Sequence, residues 1–256
     1  MTFLALVSGG AVGFTLGLIG GGGSILATPL LLYVVGVRDP HMAIGTSAVA
    51  VAVNAYANLA GHALRGNVRW RCGAVFAAVG VAGALLGSLI GKAVDGQSLL
   101  FLFGLLMLAV AALMLRPRGQ EADLERPADR STCLRTAAIA ALAGAASGFF
   151  GIGGGFLIVP ALMAATRMPM IKAVGTSLLS VGTFGLATAL SYAWSGLVDW
   201  PVALNFIAGG VLGGLAGMAL ATKLSAGKTL LNRLFAAIVA VVALYVLYRS
   251  GSVLFA

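Results

Sequence analysis

Two stretches of this chain set hydrogen-bonding backbone into apolar sequence. They are "GLIGGGGS" at 17–24, followed by Pro29, and "GFFGIGGG" at 148–155, followed by Pro160. Glycine is about 1 kcal/mol worse than alanine inside a helix, so each cluster is a place for a helix to break. If the flanking sequence lies in a membrane, a break frees N–H and C=O groups. Such groups are tolerated only when buried in protein or lining a watery cavity. A helix restarting at Ser24 or Gly155 turns unpaired N–H groups and a positive dipole end toward the gap, which suits an anion. Gly20, Gly21, Gly22, Gly23 and Ser24, with Gly151, Gly153, Gly154 and Gly155, are the candidate donors. Close helix packing is the other reading, because small residues let backbones approach.

Gly-Thr-Ser occurs twice, at 45–47 and 175–177. A lone Thr or Ser in a helix often bonds the carbonyl four residues back, but duplication beside each glycine cluster also makes Thr46, Ser47, Thr176 and Ser177 candidate substrate ligands. Asn54, Asn58 and His62 follow at spacings of four, on one helix face. Polar groups within a span face the interior or a cavity, so the asparagines either line a pathway or hydrogen-bond between helices. His62 lies at the loop end and reads as an interfacial residue. Ser180, Thr183, Thr188 and Ser191 form a looser counterpart. Asp39, Asp95 and Asp199 fall in loops, leaving no carboxylate inside an apolar run. A cation would lack a counter-charge there, whereas an anion held by amides and hydroxyls needs none. "AGKT" at 226–229 is not a phosphate loop, since Thr222 stands where that motif needs glycine. No His-Glu-x-x-His occurs and no histidine follows His62, so the sequence offers no catalytic residue, metal set or cofactor site, and an enzyme is not expected.

The elements that position these groups are membrane helices. The 256 residues are 60% hydrophobic and only 9% charged, with mean hydropathy +1.05, against about 25% charged for a soluble domain. Four of seven acidic residues (Glu121, Asp123, Glu125, Asp129) share one polar stretch, and elsewhere runs of roughly 20 apolar residues follow one another. The net charge of +9 sits in short loops, where it orients a membrane protein instead of binding nucleic acid. Trp70, Trp194 and Trp200 end their segments as interface anchors. Cys72 and Cys133 lack a pairing pattern and read as free thiols. The first apolar run has no basic region before it and no clear cleavage site, so a removable signal peptide is not expected.

The chain repeats itself at an offset of about 130 residues. The glycine clusters align; "IGTSAV" meets "VGTSLL", "GNVRW" meets "GLVDW", and Gly80, Gly83 and Gly87 meet Gly210, Gly213 and Gly217. The division is repeat one over 1–115, a polar cytoplasmic linker over 116–132 and repeat two over 133–256. Hydrophobic segments span roughly 2–37, 42–64, 72–92 and 97–115, then 134–166, 172–195, 201–222 and 229–249. The first of each set is too long for one crossing of a core of about 30 Å, so the glycines predict two half-length arms folded into a re-entrant hairpin. With eight full crossings the sixteen Lys and Arg divide nine to seven, which orients nothing. With two hairpins, thirteen gather on one side and only Arg38, Lys92 and Arg249 on the other, as the positive-inside rule prefers. Three net crossings per repeat make the repeats inverted, a feature of secondary transporters.

Paired glycine clusters of the form "G-x-x-G-x-G-G-G", the first departing from it with Ser24 in the last place, each followed by proline and then by Gly-Thr-Ser, resemble the sulfite exporter TauE/SafE family of membrane permeases. Gly20–Gly23, Pro29 and Thr46-Ser47 carry the first copy; Gly151, Gly153–Gly155, Pro160 and Thr176-Ser177 carry the second. The resemblance implies transport of small sulfur-containing anions, such as sulfite or organosulfonates, across the bacterial inner membrane. The expected protein is thus an all-α polytopic exporter that moves its anion by rocking one repeat against the other. Its partners would be that anion and the bilayer, with a coupling ion and self-association left open. A passive anion channel of the same architecture is the alternative, and a membrane-embedded assembly subunit is a third reading.

Overall fold

The computed structural model describes residues 2–115, 130–150, 158–159, 162, 166, 168, 170–223 and 228–254. Every regular element among them is helical. The long helices are α1 (Thr2–Ile19), α3 (Pro40–Leu64), α4 (Trp70–Ala93), α5 (Gly96–Leu115), α6 (Arg130–Phe150), α7 (Met170–Trp194), α8 (Trp200–Lys223) and α9 (Lys228–Leu254). A short helix, α2 (Ala27–Leu30), lies between a 3-10 turn (Gly21–Leu26) and a π turn (Leu31–Val35). Six of them (α1, α3, α4, α5, α7 and α8) are long and apolar enough to cross a bilayer. The predicted set of six crossings had α9 in place of α1. The described apolar stretch of α9, 239–253, is shorter. α6 begins at Arg130, inside the predicted linker, whose residues 116–129 lie outside the described ones.

Local chemistry sets the ends. Asp39 caps α3, accepting from the backbone N–H of His41 at 2.7 Å and Met42 at 3.2 Å, and Pro40 needs no amide partner at the first helical position. Asp95 caps α5 through Gln97 and Ser98, and Asp199 caps α8 through Val202. The three loop aspartates are therefore helix caps.

The first long segment does break, though its arms are longer than half a span. α1 runs 18 residues, about 27 Å at 1.5 Å per residue. It stops at Gly20, whose φ of +80° and ψ of −149° lie outside what an L side chain tolerates. The chain then turns back. The 3-10 turn, α2 and the π turn all pack against α1, and Gly23 lies so close to Thr15 and Leu16 that a β-carbon would come within 2.4 Å of the Leu16 nitrogen. Pro40 is thereby returned toward the end at which α1 began. The predicted half-helix from Ser24 is corrected: regular α-helix resumes at Ala27 and lasts four residues. Gly23, packed onto the Thr15 and Leu16 backbone, holds the chain in the tighter 3-10 winding after Gly20.

α3 and α7 are the most enclosed spans, and they run antiparallel. Gly45 lies against Tyr192, Gly185 against Ala52 and Gly182 against Tyr56. α1 pairs with α8, α6 with α4, and α9 with α5. Leu85, Leu86, Leu89 and Ile90 on α4, Leu204, Leu212 and Leu215 on α8, and Val241 and Leu244 on α9 stay exposed. Such a band fits hydrocarbon, not water. Trp70, Trp194 and Trp200 are 54%, 96% and 55% exposed at helix ends, as interface anchors would be.

Candidate functional site

The break at Gly20 lies toward one end of the bundle, where a midplane position was expected. Gly20 packs against Val174, one turn into α7, where a β-carbon would come within 2.7 Å of a Val174 methyl. Three residues earlier, Gly17 lies against Asn58, in the C-terminal part of α3. Ser24 is fully buried below this tip. Farther down the returning arm, the Thr28 and Ser47 hydroxyls share a hydrogen bond of 2.9 Å. The matching cluster, Gly151 with Gly153 to Gly155, lies outside the described residues.

Asn54 and Asn58 sit where α1, α3 and α8 converge. Glycines make this possible: a β-carbon on Gly210 would fall 1.9 Å from Asn54 Nδ2, one on Gly214 2.6 Å from Asn58 Nδ2, and one on Gly17 2.9 Å from Asn58 Oδ1. Asn58 Nδ2 donates to the Asn54 carbonyl at 2.8 Å. Both polar atoms of the Asn54 side chain, Asn58 Oδ1 and both ring nitrogens of His62 have no hydrogen-bond partner among the described residues. All three residues are 2% exposed or less. His62 is thus corrected from an interfacial residue to a buried one. Each unsatisfied buried group costs about 1–3 kcal/mol, so a ladder of them along one helix face is expensive unless something else bonds to it.

Thr46 and Thr176 do something different. Thr46 Oγ1 accepts from the Asp199 backbone N–H at 2.9 Å, and Thr176 Oγ1 accepts from the Arg69 N–H at 2.9 Å. Ser47 and Ser177 donate back to Ile44 and Val174 at 2.8 and 2.7 Å within their own helices. Gly45 and Gly175 lie against the carbonyls of Leu197 and Asn67, closer than any side chain permits. The two Gly-Thr-Ser elements therefore dock onto loops that precede α8 and α4.

The structure brings Asn54 and Asn58 together with Gly17, and Ser47 together with Thr28. It holds Thr46 and Thr176 apart, one against the 195–199 loop and the other against the 65–69 loop. Two residues of the looser counterpart, Thr188 and Ser180, are buried, and with them Tyr192 and Ser147, which the sequence reading passed over. Tyr192 and Thr188 on α7, 130 residues beyond His62 and Asn58, are fully buried, as is Ser180, and Ser147 on α6 is 1% exposed; among the described residues none of the four hydroxyls has a partner. Applying the repeat offset position by position would have found Tyr192. Thr183, by contrast, is satisfied by Leu179 and Tyr56. Cys72 is a free thiol.

Known proteins resemble the chain over nearly its whole length. The family model described as sulfite exporter TauE/SafE matches residues 5–246. A probable membrane transporter protein of Xylella fastidiosa (strain 9a5c) is 61% identical over 261 residues, covering 100% of both chains. The probable membrane transporter protein YunE of Bacillus subtilis is 29% identical over 88% of this chain and 90% of its own. A further one, MJ0441 of Methanocaldococcus jannaschii, is 29% identical over 75% of this chain and 78% of its own. No solved structure matches the chain.

Proposed function

The chain belongs to the sulfite exporter TauE/SafE family, and from that premise we propose a secondary transporter that exports small sulfur-containing anions. Its substrates are sulfite or short organosulfonates, and its membrane is the bacterial inner membrane. The observation that carries the mechanism is the antiparallel pairing of α3 with α7. Together with reciprocal contacts 130 residues apart (Thr46 on Asp199 and Thr176 on Arg69; Gly13 on Gly210 and Gly144 on Gly80) it supports two inverted repeats around a two-fold axis in the membrane plane. Arg38 and Arg249 line one cavity, and Lys92 bonds Ser191 and Ser195. That agrees with the side to which the charge count assigns these three.

The substrate site in this reading lies along the buried ladder. Asn54 supplies the amide donor, with Asn58 bonded to its backbone carbonyl, helped by the hairpin backbone at Gly20–Ser24 and by the buried hydroxyls of α7. Rocking α1 and α8 away from α3 uncovers the Asn54 amide, which a sulfite oxygen then satisfies. Its lack of a partner among the described residues in the closed packing keeps the two states near in energy. Ser47 and Ser177 stay with their helices, and Thr46 and Thr176 hold the halves in register.

The test is flux into proteoliposomes. Saturable uptake of labelled sulfite with counterflow supports a carrier. Non-saturating conductance would make the protein a channel, and no flux of sulfite or any short alkanesulfonate would defeat the substrate class.

A further inference from the structure

A second place for an anion lies away from the asparagine ladder. Between the returning arm of the hairpin, the start of α5 and the end of α9 is a cavity of about 370 Å³, lined on its polar side by Arg38, Arg249 and Gln97 and on its apolar side by Leu32, Val37 and Leu100. That volume falls within the range of small-molecule sites and equals about a dozen waters at roughly 30 Å³ each. A bare sulfite would rattle in it.

The charges need explaining. On the topology proposed above, this end of the protein carries three basic residues, and the positive-inside rule disfavours each of them there. Lys92 is engaged by the Ser191 carbonyl and the Ser195 hydroxyl at 3.2 and 3.0 Å. The other two, both arginines, line the one cavity. Among the described residues no carboxylate forms an ion pair with either. Asp39, the neighbour of Arg38, is turned to the amides of His41 and Met42. Both arginines are exposed at the cavity's rim, where water screens their mutual repulsion, and guanidinium forks match the paired oxygens of sulfonate or phosphate.

We propose that this cavity binds an oxyanion headgroup carrying a short apolar tail, the head clamped by Arg38 and Arg249 and the tail laid on Leu32, Val37 and Leu100. The same chemistry is offered by a soluble alkanesulfonate and by a phospholipid headgroup. The site itself does not depend on the transport reading; only its placement on the outer side does.

Calorimetric titration of the full-length protein in maltoside micelles tests the idea without transport. Butanesulfonate binds, and binds more tightly than sulfate, because only it uses the apolar wall. Arg38→Gln with Arg249→Gln weakens butanesulfonate at least tenfold while the melting temperature holds. Should that double variant unfold, Gln97→Trp carries the same test by filling the cavity with both charges kept. Native mass spectrometry separates the sources. A phospholipid retained by the wild type, lost from the double variant and displaced by butanesulfonate identifies a headgroup as the occupant in membranes; its absence leaves the soluble anion. Equal butanesulfonate affinity in wild type and variant, with equal lipid retention, overturns the proposal. Failure of the transport reading shows separately, as absent flux with this binding intact.

Discussion

Gly10 and Gly13 stand three residues apart on α1, and replacing each with alanine should have opposite effects. A β-carbon on Gly13 would lie 1.9 Å from the Gly210 carbonyl oxygen and 2.5 Å from its carbon, whereas on Gly10 the nearest atom is the Gly209 oxygen at 3.6 Å, an ordinary contact. For Gly13→Ala, α1 and α8 must part by roughly 1.5 Å, since the obstacle is backbone and no rotamer relieves it; a gap of that size forfeits much of the seam's dispersion energy. Overpacking costs about 1–3 kcal/mol, here at the upper end. The helix preference of alanine returns about 1, leaving a net loss of about 2 kcal/mol. Gly10→Ala collects the same preference with no clash and gains about 1 kcal/mol. The difference of about 3 kcal/mol corresponds to roughly 9 °C in melting temperature for a domain of this size. Thermal unfolding in detergent, followed by tryptophan fluorescence, reads it directly. Gly144→Ala belongs with Gly13→Ala, because its β-carbon would meet the Gly80 carbonyl oxygen at 2.1 Å. If Gly10→Ala and Gly13→Ala melt within about 2 °C of each other, the glycine seam is not what holds α1 to α8.

Thr46→Val and Thr176→Val each strand a backbone N–H, of Asp199 and Arg69 respectively. Each should cost about 1–2 kcal/mol in thermal melts, with Thr→Ser restoring most of it. Asn54→Leu removes an amide that has no partner among the described residues, so stability holds or rises while labelled sulfite flux falls at least tenfold; undiminished flux would remove Asn54 from the site. Single cysteines at positions 38 and 65, probed on intact cells with an impermeant maleimide, should label from outside only at 38. Labelling at both, or at 65 alone, would undo the assigned orientation.

The architecture was largely legible because a bilayer leaves few choices. Segment boundaries read from hydropathy agree with α3, α4, α5, α7 and α8 to within about three residues, since apolar runs end where loops must be solvated. The turn at Gly20 was legible from the glycines. The conformation after it was not, because choosing 3-10 over α there depends on packing against Thr15 and Leu16, which no local propensity encodes. Gly9 and Gly13 went unremarked because their reason is a partner helix about 200 residues away, with Phe206 and Gly210 at van der Waals limits. His62 was misplaced because sequence position put it near a loop, whereas the end of α3 that carries it is enclosed by the rest of the bundle.

The Gly-Thr-Ser elements teach the most about reading duplicated motifs. Two motifs that recur together, Gly-Thr-Ser and the pattern of "GNVRW" and "GLVDW", suggest two ligand-binding devices when each is considered alone. In the structure they are each other's partners, crossed between halves. The threonine of the first copy accepts from Asp199 in the second, and the threonine of the second accepts from Arg69 in the first. Glycine is needed beside each threonine because the loop carbonyl of Leu197 or Asn67 occupies the space of a β-carbon. A duplicated chain whose halves interlock must keep both motifs in both copies, whatever its substrate, since a change in either breaks a contact with the other half. Duplication alone therefore cannot separate ligand from latch. Unsatisfied burial can: the hydroxyls of Thr46 and Thr176 have protein partners, and among the described residues the amide of Asn54 does not. A group left without a partner inside a membrane protein is one whose energy improves when a substrate arrives, and on that argument the proposed site rests on the asparagine ladder and not on the threonines.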